Sequence, residues 1–139
     1  MTREAVIAEA RSWLGTPYHH HAQVKGVGVD CGQLLIGVYG AAGVLVRHPV
    51  YDYAHDWHLH RTEELFVAHV RSFGAVPTQT PKPGDIAVYK FGRCFSHGAI
   101  LVEPDVVVHS YITTGVVVNN VADEPLNGRE VCYFTFWKD

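Results

Sequence analysis

The sequence has few cysteines and no long hydrophobic run. Its 139 residues include three cysteines, at positions 31, 94 and 132. An odd number at such wide spacing neither builds a disulfide framework nor resembles the close cysteine pairs of a structural zinc site. No segment approaches the roughly 20 apolar residues of a membrane span, and the charged N-terminus lacks the apolar run of a signal peptide. We therefore expect free thiols in a protein that is made in the cytoplasm.

An excess of positive charge is also missing. Lysine and arginine number 11 against 14 aspartates and glutamates, which gives a net charge of -3 with neutral histidines. Without a basic stripe, the chain has no electrostatic footprint for nucleic acid or an anionic membrane, and we expect neither as a partner. No repeat, low-complexity tract or linker divides the sequence, so we expect residues 1–139 to form a single domain.

The two halves of the chain differ in their hydrophobic pattern. Apolar residues recur at helical intervals in the first half and predict helices over residues 2–14, 31–42 and 61–72. After "TQTPKPGD" the sequence turns to β-branched and aromatic runs that predict strands over residues 86–89, 97–102, 106–111, 115–119 and 131–137. Between the first two helices, "GTPYHHHAQVKGVGVD" predicts an irregular loop. Helices followed by strands predict an α+β fold, with N-terminal helices packed on a central antiparallel sheet.

Cys31 is the cysteine whose surroundings favour chemistry. It lies in "VGVDCGQLLIGVYG", at the predicted start of the second helix, where unsatisfied backbone N–H groups and the positive end of the helix dipole stabilise a thiolate. We expect a lowered thiol pKa, and thiolate is the species that attacks a carbonyl carbon. The alternative role is that of a small buried hydrophobe. Cys94 and Cys132 lack such surroundings, and we expect them to be packing residues.

Two of the ten histidines lie on neighbouring predicted strands and could serve as proton partners for Cys31. His97 opens the strand in "FSHGAILV", and His109 lies in "VVVHSY". Antiparallel pairing about the two-residue turn at positions 104–105 would bring the two rings to comparable heights, where cross-strand side chains interact. Gly98 leaves room for a helix terminus to approach. The spacing predicts a nucleophile, a base and an orienting residue at Cys31, His97 and His109.

Three consecutive histidines, His19, His20 and His21, raise the alternative of a zinc site. Consecutive side chains point in diverging directions and rarely converge on one ion without further ligands. We therefore expect no metal at this cluster.

Two residues near Cys31 have open alternatives. Tyr18 follows Pro17, which stiffens the loop, and a phenol beside a thiolate can donate a hydrogen bond to an oxyanion. An ordinary surface or core tyrosine is the other interpretation. Asp30 can cap the second helix, or it can present a carboxylate to an ammonium group of a substrate.

At these residues the sequence resembles the NlpC-type cysteine peptidases, papain-like enzymes that cut peptidoglycan stem peptides. The match consists of five segments in the family's order: "WLGTPY", "DCGQLL", "PGDIAVY", "SHGAILV" and "VVVHSY". Together they cover most of the chain. The phage-type branch, found in tail modules and gene-transfer particles, is the most similar because of its compact domain and its long approach, "HHHAQVKGVGVDC".

The resemblance implies a papain-like fold and a Cys-His-His triad. Cys31 would be the nucleophile, His97 the general base and later the acid, and His109 the orienting residue. Tyr18 matches the family tyrosine beside the nucleophile, and its hydroxyl would hold the oxyanion together with the Cys31 backbone N–H. No metal or organic cofactor is implied.

Gly32 marks a departure from the family pattern. Many members read Asp-Cys-Ser-Gly, whereas Gly32 and Gln33 follow Cys31 here, so one substrate contact is lost. The implied substrate is the bacterial peptidoglycan peptide, cut for example between D-glutamate and the diamino acid. The implied partners are phage tail or gene-transfer-particle proteins, with the chain acting on the cell wall from a virion. An inactive tail assembly module and an acyltransferase of similar fold are the alternatives.

Overall fold

The computed structural model describes residues 1–44 and 65–139 and contains three helices there. These are α1 (Arg3–Ser12), α2 (Cys31–Ala41) and α3 (Leu65–Ser72). The predicted first and second helices are confirmed within two residues at each end. The third is confirmed over its described part, and residues 61–64 of that prediction lie outside the described residues. None of the described helices is long and apolar enough to cross a membrane.

Capping residues explain where the first two helices begin. The Thr2 hydroxyl accepts the backbone N–H of Ala5 at 3.0 Å, and the Asp30 carboxylate accepts that of Gln33 at 2.8 Å. Each bond satisfies an N–H group that the helix itself leaves without a partner. After α1 the chain turns at Gly15, whose φ of 87° lies in the left-handed region that glycine adopts without strain.

In the part of the chain that the structure describes, eight strands form two antiparallel sheets. A short hairpin joins β1 (Gln23–Val24) to β2 (Gly28–Val29). The central sheet has the order β3-β8-β4-β5-β6-β7 with every neighbouring pair antiparallel. Its strands are β3 (Val76–Thr78), β4 (Ile86–Phe91), β5 (Cys94–Glu103), β6 (Val106–Tyr111), β7 (Gly115–Asn120) and β8 (Val131–Thr135).

The predicted α+β class and all five predicted strands are confirmed, with four main differences. β4 ends two residues after its predicted end, and β5 begins three residues before its predicted start. β8 ends two residues early, and the predicted loop before Cys31 contains the β1–β2 hairpin. β3 was not predicted. Among the described strands it pairs with β8 alone, and three residues are too few for an alternating pattern to show.

Strand alternation divides the core into two clusters, one on each face of the central sheet. The larger cluster joins the three helices to one face, and its sheet residues include Ile86, Val88, Ile100 and Val108. The smaller cluster covers the opposite face with Ala87, Tyr89, Ala99, Leu101, Val107 and Leu126. His97 and His109 alternate in step with this second set, so they share a face of the sheet.

Candidate active site

Cys31 is the first residue of α2, and Asp30 fixes this position. Both carboxylate oxygens of Asp30 accept backbone N–H groups at 2.8 Å, one from Gln33 and one from His21. The Asp30 residue is only 1% exposed. The structure therefore gives Asp30 the capping role. A substrate ammonium would have to reach a buried carboxylate whose oxygens already accept backbone N–H groups.

The Cys31 sulfur lies against the backbone of β5 on both sides of His97. The thiol donates to the Ser96 carbonyl at 3.9 Å, and the backbone N–H of Gly98 lies close enough to favour negative charge on the sulfur. The pairing of β4 with β5 changes register between Tyr89 and Lys90, which leaves Ser96 as an extra residue in a β-bulge. Bulges bend a strand and redirect its side chains, and they are common next to active sites.

The pKa of the Cys31 thiol is raised to about 12, so the predicted lowering is wrong. Burial of the sulfur is the main cause, although the residue as a whole keeps some exposed surface, and the negative charge of Asp30 is the second. The backbone N–H groups of Gly98 and Gly32 lower the pKa by less. The helix N-terminus does favour the thiolate, but desolvation and the capping carboxylate outweigh it. At neutral pH the resting sulfur is a thiol, and its reaction requires a base.

His97 and His109 contact each other directly. The distance from His97 Nε2 to His109 Nδ1 is 2.7 Å, and both residues are buried. β5 and β6 pair Ile100 with Val108, so the two histidines are diagonal neighbours rather than directly opposite each other. The prediction that they lie close enough to interact is confirmed. His109 contacts Nε2 of His97, so Nδ1 lies on the other side of the His97 imidazole.

His109 has a second polar neighbour, Asn119, that the sequence did not reveal. Its Nε2 lies 3.3 Å from Oδ1 of Asn119 on β7. Burial lowers the pKa of His109, and the hydrogen bond to Asn119 opposes this shift. Asn119 follows Val117 by two residues, and Val117 pairs with His109. Asn119 therefore lies beside His109 because of the register between β6 and β7, which the sequence pattern does not give.

Aromatic side chains surround the histidine pair. The ring centroid of Phe91 lies 4.9 Å from that of His97, and the centroid of Tyr111 lies 5.8 Å from His97. The guanidinium of Arg129 stacks over Phe91 at 3.6 Å. These contacts hold the His97 ring in one orientation, as a positioned proton carrier requires.

Tyr18 lies close enough to Cys31 for the two groups to interact electrostatically. The segment containing it forms a parallel bridge to Val29, and the Val29 carbonyl in turn accepts the buried hydroxyl of Ser110 at 2.7 Å. Burial raises the pKa of Tyr18, and negative charge at Cys31 and Asp30 raises it further. The phenol therefore keeps its proton at physiological pH and can donate a hydrogen bond.

Gly32 lies in the first turn of α2 and lines an apolar cavity between α2 and α3. Phe66, His69 and Val70 of α3 form part of the same wall. The residue that departs from the family pattern thus faces a largely apolar surface.

The three consecutive histidines differ from expectation in one respect. The rings of His20 and His21 stack with centroids 3.9 Å apart instead of diverging, because His21 adopts a left-handed φ of 64°. His20 Nδ1 lies 3.9 Å from the Asp30 carboxylate. Within residues 1–44 and 65–139, no group of three or more histidine, cysteine or acidic side chains has the arrangement of a metal site.

The remaining cysteines are free thiols and pack as predicted. Cys94 is fully buried. Cys132 is half-buried on β8, where its thiol donates to the Val88 carbonyl at 3.8 Å.

Solved structures share this fold, although no protein-family model and no curated protein matches the sequence. The NlpC/p60 domain of the peptidoglycan hydrolase SagA superposes with a TM-score of 0.61 at 18% identity, covering 95% of this chain and 97% of that one. The peptidoglycan hydrolase RipB from Mycobacterium tuberculosis superposes with a TM-score of 0.63 at 19% identity, covering 99% of this chain and 65% of that one. NlpC1 from Trichomonas vaginalis superposes with a TM-score of 0.69 at 14% identity, covering 99% of this chain and 45% of that one.

These comparisons confirm the predicted papain-like NlpC fold. The chain spans nearly the whole SagA domain but less than half of the Trichomonas protein. At such low identities the likeness is one of fold, and the assignment to the phage-type branch stays a prediction.

Proposed function

We propose that this chain is a cysteine peptidase that hydrolyses amide bonds in peptidoglycan stem peptides. The observation that carries the proposal is the contact of the Cys31 sulfur with the backbone on both sides of His97, whose ring is held by His109 at 2.7 Å. A thiol, a positioned imidazole and an orienting group are the parts that nucleophilic acyl transfer needs. The substrate class is supported by the fold, which is that of the peptidoglycan hydrolases SagA and RipB.

The reaction begins with proton transfer, because the resting sulfur is a thiol. Nδ1 of His97 takes the thiol proton as the sulfur attacks the amide carbonyl carbon. The imidazolium so formed keeps its hydrogen bond from Nε2 to His109. The carbonyl oxygen becomes an oxyanion, which accepts hydrogen bonds from the Cys31 backbone N–H and the Tyr18 hydroxyl.

Collapse of this intermediate breaks the C–N bond. His97 gives its proton to the leaving amine, and the acyl half of the substrate stays on Cys31 as a thioester. A water molecule then attacks the thioester carbonyl while His97 accepts one of its protons. The C–S bond breaks, the acyl half leaves as a carboxylic acid, and the sulfur regains its proton from His97. The cycle uses no metal or organic cofactor.

The proposal also includes the cleaved bond, the partners and the place of action that we expect from the sequence. They are cleavage between D-glutamate and the diamino acid, association with a phage tail or gene-transfer particle, and action on the cell wall.

A digest of purified peptidoglycan and of defined stem peptides tests the proposal. We expect the wild-type protein to release peptide fragments whose masses identify the cleaved bond, and Cys31→Ala to release none. Cys132→Ala is the matched control, since this second half-buried thiol should leave the fragment profile unchanged. Equal profiles for wild type and Cys31→Ala would favour the inactive tail module. Products formed only with an added amine would favour the acyltransferase.

A further inference from the structure

The hydrogen bonds of the histidine pair extend beyond the contact between His97 and His109. His109 Nε2 lies 3.3 Å from Asn119 Oδ1, on the side of the ring opposite its 2.7 Å contact with His97. We propose that Asn119 is a positioning residue that sets the direction of these hydrogen bonds, so that His97 can accept the proton of Cys31. The inference rests on the proposed function, because it concerns the base in that reaction.

The orientation of the Asn119 amide follows from its other hydrogen bond. Its Nδ2 donates to the backbone carbonyl of Asn120 at 2.8 Å. A carbonyl oxygen only accepts hydrogen bonds, so the amide atom that faces it must be the NH₂ group. The atom that faces His109 is therefore the amide oxygen, which can only accept. Nε2 of His109 must carry the proton.

This assignment determines the protonation of the next ring. Burial keeps His109 neutral by lowering its pKa, so a proton on Nε2 leaves a lone pair on Nδ1. That lone pair accepts the N–H of His97 Nε2. A neutral His97 with its proton on Nε2 has its own lone pair on Nδ1, which is the atom that the reaction requires as base.

The opposite direction of these hydrogen bonds would block the reaction. If His109 carried its proton on Nδ1, it would donate to His97 Nε2, and a neutral His97 would then carry its proton on Nδ1. That atom could not accept a proton from the thiol. Two neutral imidazoles can adopt either direction, and the acceptor at Asn119 favours the productive one.

Two measurements on the protein itself test this inference, with Asn119→Leu, Asn119→Asp and Asn120→Ala as variants. Nitrogen-15 NMR of the imidazoles reports which nitrogen of His109 is protonated. The rate of Cys31 alkylation by iodoacetamide, located by peptide mass spectrometry and followed against pH, reports proton transfer to His97. Asn120→Ala is the matched control, because the backbone carbonyl that orients Asn119 remains and only the bond from Ala122 N–H to the Asn120 side chain is lost.

We expect the wild type, Asn119→Asp and Asn120→Ala to carry the His109 proton on Nε2. Asn119→Leu should populate both tautomers, and its alkylation at neutral pH should fall by about three- to tenfold, the range of a single neutral hydrogen bond. Asn119→Asp should keep the alkylation, because a carboxylate is also an acceptor. A merely structural role for Asn119 would change the melting temperature of Asn119→Leu without changing the tautomer or the pH profile.

A His109 proton on Nδ1 in the wild type would overturn the inference, even where Asn119→Leu fails to fold. An unchanged tautomer and an unchanged alkylation profile in folded Asn119→Leu would also overturn it. Neither measurement uses peptidoglycan. If the wild-type protein releases no peptidoglycan fragments but His109 carries its proton on Nε2, the proposed substrate is rejected and the role of Asn119 is retained.

Discussion

The Cys31 sulfur is subject to opposing electrostatic influences from its own helix. The backbone N–H groups at the start of α2 favour the thiolate. The carboxylate of Asp30, which the same helix needs as its cap, disfavours it, and burial disfavours it more strongly. The net effect is a raised pKa. In the proposed reaction, the Cys31 thiol keeps its proton until a substrate and His97 are both in position.

Asp30→Asn separates the charge of the cap from its hydrogen bonding. Asparagine is also a strong N-cap, so α2 should keep its start, although the Asp30 oxygen that accepts the His21 N–H is lost. Removing the negative charge favours the thiolate, so the pKa of Cys31 should fall below about 12. The measurement is Cys31 alkylation against pH, whose profile should move to lower pH. Asp123→Asn is the charge-matched control at an exposed position. If the alkylation profiles of Asp30→Asn and Asp123→Asn are the same, the charge of Asp30 does not raise the pKa of Cys31.

Local sequence pattern was sufficient to predict most of the candidate site. Cys31 was identified by its place at a helix start, and His97 and His109 by their places on neighbouring strands. The direction of the Cys31 pKa shift could not be predicted, because burial depends on everything that packs around the sulfur. Asn119 could not be found for a related reason, since its contact with His109 depends on the register of two strands.

At the scale of elements, the helices must pack closely against β5 to bring Cys31 to His97. Gly98 makes that approach possible. A Cβ atom at Gly98 would lie 2.6 Å from Cδ1 of Leu35 in α2 and 2.8 Å from Cζ of Phe66 in α3. The sequence predicted a close approach of a helix at this glycine, and the structure identifies two helix side chains that use the space.

Gly98→Ala should therefore push α2 and α3 away from the sheet. We expect a loss of about 1 to 3 kcal/mol in the free energy of unfolding, as is typical of overpacking, together with a loss of Cys31 alkylation that depends on His97. Gly40→Ala is the control within α2, because nothing lies within 4 Å of a Cβ atom there. It should stabilise the helix by about 1 kcal/mol. Urea unfolding of both variants checks the pair, and a neutral Gly98→Ala would contradict the close packing.

The elements that were not predicted are short or irregular. β1, β2 and β3 have two or three residues each, and such strands form because a partner is already present rather than from their own pattern. The bulge at Ser96 also has no local signature, because it arises from the pairing of β5 with β4. Alternation predicts which face a residue occupies but not the register between strands.

At the scale of the whole molecule, Arg3 links α1 to the central sheet and to the C-terminal residue. Its guanidinium donates to Asp85 at 2.9 Å and to Asp139 at 2.9 and 2.8 Å. Asp85 is buried, whereas Asp139 is exposed. The hydrogen bond from Arg3 is the main reason that the pKa of Asp139 is lowered to about 2. The stabilising effect of this pair is present above the ordinary carboxyl pKa of 3.8 and is lost as the pH falls through about 2.

Arg3→Ala and Asp139→Asn should differ sharply in stability. Arg3→Ala leaves the Asp85 carboxylate buried without its cation, and such losses typically cost about 3 kcal/mol or more. Asp139→Asn removes an exposed partner and should change the stability at neutral pH very little. Urea unfolding at neutral and acidic pH measures both effects. Equal unfolding midpoints for the two variants would show that the ion pair of Arg3 with the buried Asp85 does not support the fold.

A single-turnover experiment detects covalent catalysis at Cys31. Excess protein is mixed with a defined stem peptide, quenched with acid at successive times and analysed by mass spectrometry. We predict a transient mass increase on the peptide that carries Cys31, equal to the acyl half of the substrate, which decays as the second product is released. Complete hydrolysis by Cys31→Ala, with no adduct on Cys31 of the wild type at any time, would rule out a Cys31 thioester in the reaction.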